Sequence, residues 1–204
     1  IFLFGFASSL HSQHYNIYIY VLGLHAADVV QERETAGLIE YTTQNRGIFD
    51  LIWPASNFYT ANYDTLNFGF INYEKKIYQG SDKNRISGKL NPEGYLVYDK
   101  KLKLKVPEST HNILTLLAMV QYRDRNLLDG VWYNYEHDAM LGRARFLFND
   151  SVNVWYNGDS LLCDHYRFDI SIEDSSKQIK SPDYFMNNLL NDGIVRELWI
   201  SKTP

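Results

Sequence analysis

Cys163, Asp164 and His165 stand side by side and supply the residue types of a nucleophile, a carboxylate and a base. A thiolate nucleophile needs a base nearby, and that base needs an orienting carboxylate. In a strand, however, Cys163 and His165 share one face while Asp164 points to the other. No cysteine-protease signature surrounds them, so Cys163 reads as a small, partly buried strand residue. The six histidines, at positions 11, 14, 25, 111, 137 and 165, show neither HxH nor HExxH spacing, and no metal site is expected from them. His137-Asp138 reads as a solvated hairpin end. Glu136 and Asp169 could face each other from different strands, as a glycosidase pair some 5 to 9.5 Å apart would. With 24 acidic residues in the chain, such a pairing is cheap. No GxGxxG, Walker-type loop or GxSxG elbow occurs. The expectation is a protein with no catalytic set, no cofactor and no metal.

A more distinctive pattern is polar residues on one side of strands that need an apolar face. Arg143 and Arg145 share one strand parity, with Ala144, Phe146 and Phe148 on the other. In a later strand Arg167 and Asp169 lie opposite Phe168 and Ile170. The phenylalanines and Ile170 are therefore the expected core side, and Arg143, Arg145 and Arg167 form a cationic stripe. Cross-strand salt bridges to Glu136 or Asp169 account for the stripe without function, each worth about 0–1 kcal/mol at a surface. If that face turns inward, the arginines line a cavity. They would then hold an acidic or phosphate head group while Tyr133 and Tyr135 contact the apolar part of the ligand.

The elements that must position these residues are strands. Apolar, aromatic and β-branched runs recur at 15–22, 25–33, 38–46, 58–63, 66–76, 85–90, 95–104, 131–137, 141–148, 152–156, 161–172 and 194–200. Turn chemistry separates them: Asn91-Pro92-Glu93-Gly94, Asn149-Asp150, Asn157-Gly158 and Asp192-Gly193. Residues 111–121 (HNILTLLAMVQ) carry Leu and Met at helical spacing after Ser109-Thr110, and predict a short helix. Residues 182–190 predict a helical turn with Pro182 near its start. The run 100–105 (KKLKLK) alternates Lys with Leu, the pattern of a half-exposed strand whose lysines discourage edge pairing. The expected fold is all-β: one curved antiparallel sheet or barrel of about a dozen strands with one short helix.

Composition agrees. Of 204 residues, 45% are hydrophobic and 31 are aromatic (16 Tyr, 11 Phe, 4 Trp), which excludes a disordered or collagen-like chain. A single cysteine excludes an intrachain disulfide framework, and a net charge of −4 gives no general drive towards nucleic acid. Residues 1–7 (IFLFGFA) followed by SSLHSQ read as the remnant of a signal peptide over residues 1–13, with one β domain over 14–204. Seven apolar residues fall far short of the roughly 20 needed to span a bilayer, and no transmembrane segment is expected. With no Cys after the apolar run, a lipoprotein is not expected either.

Three segments carry a resemblance: YIYVLGLHAADV at 18–29, PESTHNILTLLAMVQYRDRNLLDGVWYNYEHD at 107–138, and the pair LCDHYRFDI and IVRELWIS near the C-terminus. In order, they resemble a strand ending, a helix leading by a turn into a strand, and two late strands in the bacterial envelope domain-of-unknown-function family three-one-zero-eight. His111-Asn112 stands where that family has Asp-Pro, and Ala26-Ala27-Asp28 replaces its Gly-bearing continuation. The family also has a further strand beyond the point where this chain ends at Pro204, so the resemblance implies clipping at the C-terminus. The resemblance implies an exported, single-domain antiparallel β protein with no established activity, periplasmic or secreted. The function expected is non-catalytic binding of an amphipathic or apolar ligand, a lipid or a glycan of the envelope, in the β concavity. The alternative is a structural or partner-binding factor that uses an exposed sheet edge.

Overall fold

The computed structural model describes residues 2–4, 13–21, 24–33, 37–99, 102–156, 158–191 and 193–201. A short strand β1 (Phe2–Phe4) precedes β2 (Gln13–Val21), β3 (Leu24–Arg33) and β4 (Leu38–Asn45); helix α1 (Gly47–Ile52) follows, then β5 (Ala55–Tyr63), β6 (Phe70–Gln79), β7 (Asp82–Leu90), β8 (Tyr95–Tyr98) and β9 (Lys103–Lys105). Strands β2 to β9 pair in chain order into one antiparallel eight-stranded meander. Its inward parity is read directly from β5, where Asn57, Tyr59, Ala61 and Tyr63 are buried between more exposed neighbours. Period-2 alternation of this kind fixes the register, because a slip of one residue would turn every core side chain to water.

Two helices, α2 (Ile113–Tyr122) and α3 (Arg125–Leu128), separate this meander from the second sheet. The second sheet contains β10 (Tyr133–His137), β11 (Met140–Tyr156), β12 (Asp159–Asp174) and β13 (Glu197–Ser201), with α4 (Tyr184–Leu189) before the last strand. Its order is β1-β13-β12-β11-β10, and only the β1–β13 pairing is parallel. Over the described residues the fold is thus mostly β and antiparallel, as expected, but it is neither one sheet nor a closed barrel. Four helices stand where one short helix and a helical turn over 182–190 were expected, α4 being that turn. An apolar sheet face can be buried by closing the sheet or by covering it. Here a helix and a second sheet cover it. Helix α2 is apolar nearly all round, with Ile113, Leu114, Leu116, Ala118, Met119 and Val120 buried, as a helix inside a core must be. It reaches β4 and β5, and its Gln121 exchanges amide hydrogen bonds of 2.9 and 3.0 Å with Gln31 of β3. Its cap is Asn112, in a reciprocal box with Thr115, and not Ser109-Thr110.

Smaller expectations resolve similarly. Asn91 to Gly94 does turn the chain between β7 and β8, with Gly94 at φ +76°. Asn149-Asp150 does not turn it. β11 runs straight through, and a bulge between Phe148 and Asp150 absorbs the extra residue. The 95–104 run divides into β8 and β9, and β9 keeps Leu104 buried between exposed Lys103 and Lys105. Apart from Phe2–Phe4 and Gln13, the segment read as a signal remnant lies outside the described residues, as does Asp192 of the last predicted turn.

Candidate functional site

The five residues expected to line a cavity do not converge. Tyr133 pairs with Ala144 and Tyr135 with Gly142, so both tyrosines share the core face with Phe146, Phe168 and Ile170, and all five are buried. Tyr133 donates to the Leu127 carbonyl at 2.9 Å. The arginines project from the opposite face. Arg143 is held by Glu173 at 2.5 Å, and Arg145 and Arg167 both reach Asp169, at 3.0 and 2.9 Å. Arg145 also lies over the Trp132 ring, 4.4 Å from its centroid. The parity derived from the sequence holds, but the sheet presents its apolar face inward and the stripe is a neutralised outer surface. Glu136 and Asp169 do not meet either: Glu136 is fully buried against Tyr73 and Tyr98 of the other sheet, and Asp169 is held by Arg145 and Arg167. Cys163 is fully buried, and burial pushes its thiol up, the wrong direction for a nucleophile. His165 instead stacks on Trp199 with ring centroids 4.5 Å apart and meets Asp150 at 3.1 Å.

What the core does contain is a cluster of charged groups at the β10–β11 turn. The turn has two residues, Asp138 and Ala139, closed by the pairing of His137 with Met140. Both adopt positive φ, 47° and 64°, which a type I′ hairpin requires and which a residue with a Cβ adopts only at a cost of about 1 kcal/mol or more. The surroundings hold it there. The Ala139 N–H donates to Glu136 Oε1 and to the Tyr98 hydroxyl, both at 2.8 Å, and the Ile179 N–H donates to the Asp138 carbonyl at 2.7 Å. This turn, taken as solvated from the sequence, is buried: Glu136, His137 and Asp138 are exposed by 0, 5 and 1%.

From the eight-stranded sheet, β6 points Lys75 at this turn. Its Nζ lies 2.6 Å from Asp138 Oδ1 and 3.6 Å from Asp183 Oδ2. Asp183 is fixed separately: it caps α4 by accepting from the Met186 N–H at 3.2 Å, and it accepts from the Tyr59 hydroxyl at 3.1 Å. Glu136 accepts from the hydroxyls of Tyr98 and Tyr73. Burial raises the Glu136 carboxyl to about 7, against the opposing pull of Tyr98 and the Ala139 N–H. Burial also drives His137 down to about 3, helped by the Lys75 charge. For Lys75 burial favours the neutral amine, but Asp138 and Asp183 outweigh it and hold the group above its ordinary range. Tyr59, Tyr73, Lys75, Glu136, His137 and Asp138 line a cavity of about 20 Å³, room for about one water.

This cluster was legible in one respect only. Lys75 interrupts the inward series Tyr73, Ile77 and Gln79 at the parity reserved for the core. The partners Asp138 and Asp183 carry no comparable signal. Among the described residues, no group of three or more His, Cys, Asp or Glu side chains could hold a metal ion.

A second feature lies on the face of β6, β7 and β8 turned away from the core. A groove of about 600 Å³ lies there, bordered by Asn72, Glu74, Ser87, Lys89, Pro92, Val97 and Asp99. Ser87 donates to Asp99 at 2.5 Å, and Asn72 accepts from Asn62 at 2.9 Å. Polar groups are thus held in place along one side, and Pro92 and Val97 offer a small apolar patch, while Leu90, opposite the buried Leu96, packs against the core. No family model, curated protein or solved structure matches the chain.

Proposed function

We propose that this protein is a non-catalytic binding protein of the bacterial envelope, and that its ligand is amphipathic and sits in the groove over β6–β8. The observation that carries the reading is the groove itself. Its volume, about 600 Å³, falls within the range of roughly 300–1,000 Å³ typical of small-molecule sites. A small apolar patch, Pro92 and Val97, beside fixed polar groups suits a ligand with a head and a short tail. The concavity named from the sequence is filled by α2 and the β10–β11 turn, so the seat moves to the outer face. The charged cluster at Lys75 has space for about one water, too little for a substrate, and this supports the non-catalytic reading. The edge-binding alternative draws less support at the edge formed by β9, which is three residues long and bears exposed Lys103 and Lys105, features that resist strand addition.

Titration calorimetry with a monomeric single-chain phosphocholine amphiphile tests this. Binding to the unaltered protein is expected, with at least a tenfold loss in Val97→Asp and a smaller loss in Lys89→Glu. No heat of binding, or equal affinity in both variants, overturns the proposal.

A further inference from the structure

We propose that Lys75 and Asp138 condense into an intramolecular amide bond that links β6 of one sheet to the β10–β11 turn of the other, with Glu136 relaying the protons. Four observations support it. First, the two groups are placed to react. Nζ approaches Oδ1 to 2.6 Å without the alignment of a hydrogen bond, which brings the nitrogen close to the roughly 3–3.5 Å from the carboxyl carbon that near-attack geometry requires. Groups held in this way act at effective concentrations of about 10⁵–10⁸ M.

Second, Asp138 is the carboxyl left free to react. Neither of its oxygens accepts a hydrogen bond, although His137 Nε2 lies 3.5 Å from Oδ2. Oδ1 of Asp183, by contrast, is engaged by Tyr59 and by its own helix, and only its Oδ2 has no such partner. Third, Glu136 borders the same small cavity, and its Oε2 is buried without a hydrogen-bond partner. Burial lifts it to about 7, so its acid form is well populated near neutral pH. Fourth, the backbone at Asp138 and Ala139 is held at positive φ, as a turn built to present one side chain would be.

The reaction balances without a co-reactant. Against the pull of Asp138 and Asp183 that holds Lys75 charged, and in the direction that burial favours, a proton passes from the Lys75 ammonium to the Asp138 carboxylate in a minor state of the pair, giving a neutral amine and a neutral acid. The nitrogen lone pair attacks Asp138 Cγ. Glu136 donates its proton to the departing hydroxyl and recovers one from the nitrogen; the C–O bond breaks, the C–N bond forms, and one water is released. The adjacent cavity of about 20 Å³ can receive that water. Low polarity favours the product, since two buried charges become one neutral amide. In a chain with one cysteine, the bond is a cross-link that needs no oxidant.

Intact-mass measurement on the denatured full chain, followed by peptide mapping, tests the proposal. The unaltered protein is expected to weigh one water less than its sequence. A branched peptide joining the segments that contain Lys75 and Asp138 is also expected. Lys75→Met and Glu136→Gln are expected to run at full sequence mass. The unaltered chain decides the matter even if a variant fails to fold. A folded protein at full mass overturns the bond, and so does a lost water that maps to a cyclised aspartate elsewhere. A branched peptide that persists in Glu136→Gln overturns the role given to Glu136.

Discussion

At the scale of single residues, Glu136 and His137 are neighbours with opposite proton linkage. Glu136 holds its proton more tightly folded than unfolded, with about 7 against an ordinary 4.5. Its contribution to stability is full below about pH 4.5 and is lost as the pH climbs to about 7. His137 holds its proton less tightly folded, with about 3 against 6.5. Its contribution is full above about pH 6.5 and is lost as the pH falls towards 3. Between about 4.5 and 6.5 the two slopes cancel, and the pair leaves stability nearly flat. Glu136→Gln is expected to leave the histidine's proton linkage unopposed, so that stability drops on acidification across this window. His137→Gln is expected to leave the carboxyl's linkage unopposed, with a drop on raising the pH. Each effect is on the order of 3 kcal/mol or less. Urea denaturation at several pH values measures both, and matching flat profiles in the two variants would refute the assignment.

At the scale of elements, α2 is the piece that fills the core against β4 and β5. Leu116 and Met119 are wholly buried, and the helix begins at a reciprocal cap in which Asn112 accepts from the Thr115 N–H at 3.0 Å. Asn112→Ala should cost about 1 kcal/mol through loss of that cap. Leu116→Ala should cost about 2–5 kcal/mol, because a cavity opens where close packing cannot collapse. Equal losses in the two variants by denaturant titration would contradict the central place given to the helix interior. The register of the second sheet rests on a different device. A Cβ at Gly142 would lie 2.1 Å from the Ser171 carbonyl oxygen, so glycine is required where β11 and β12 shift register beside Leu141.

At the scale of the whole molecule, one apolar cluster runs from Val29 and Ile39 through α2 to Leu198 and Ile200. Ion pairs and hydrogen bonds from Tyr59, Tyr73 and Lys75 join the sheets at the same level. Sheets that share a core should not melt separately. Calorimetric and van't Hoff enthalpies are expected to agree in a single transition, and two resolved transitions would show that the sheets are independent units. Among the described residues no helix is long and apolar enough to cross a membrane.

Strand positions and parity were readable from the residues because period 2 is a local property of the backbone. Phe146, Phe168 and Ile170 are buried and Arg143 and Arg167 exposed, in accordance with the alternation. The helix over 113–122 was readable for the same reason, through its spacing of Leu and Met. Which way a sheet turns its polar face, whether a long sheet closes, and where a turn lies relative to a distant strand are not local. The sequence left the arginine stripe free to line a cavity, and only burial of the opposite, apolar face in the shared core put it outside. It left His137-Asp138 as a solvated turn, and only the approach of β6 buried that turn against Lys75. Residue types and alternation determined a mainly antiparallel β protein. Tertiary contact alone decided that there are two sheets, that the concavity is filled, and that an amine and a carboxyl distant in the chain meet in the core.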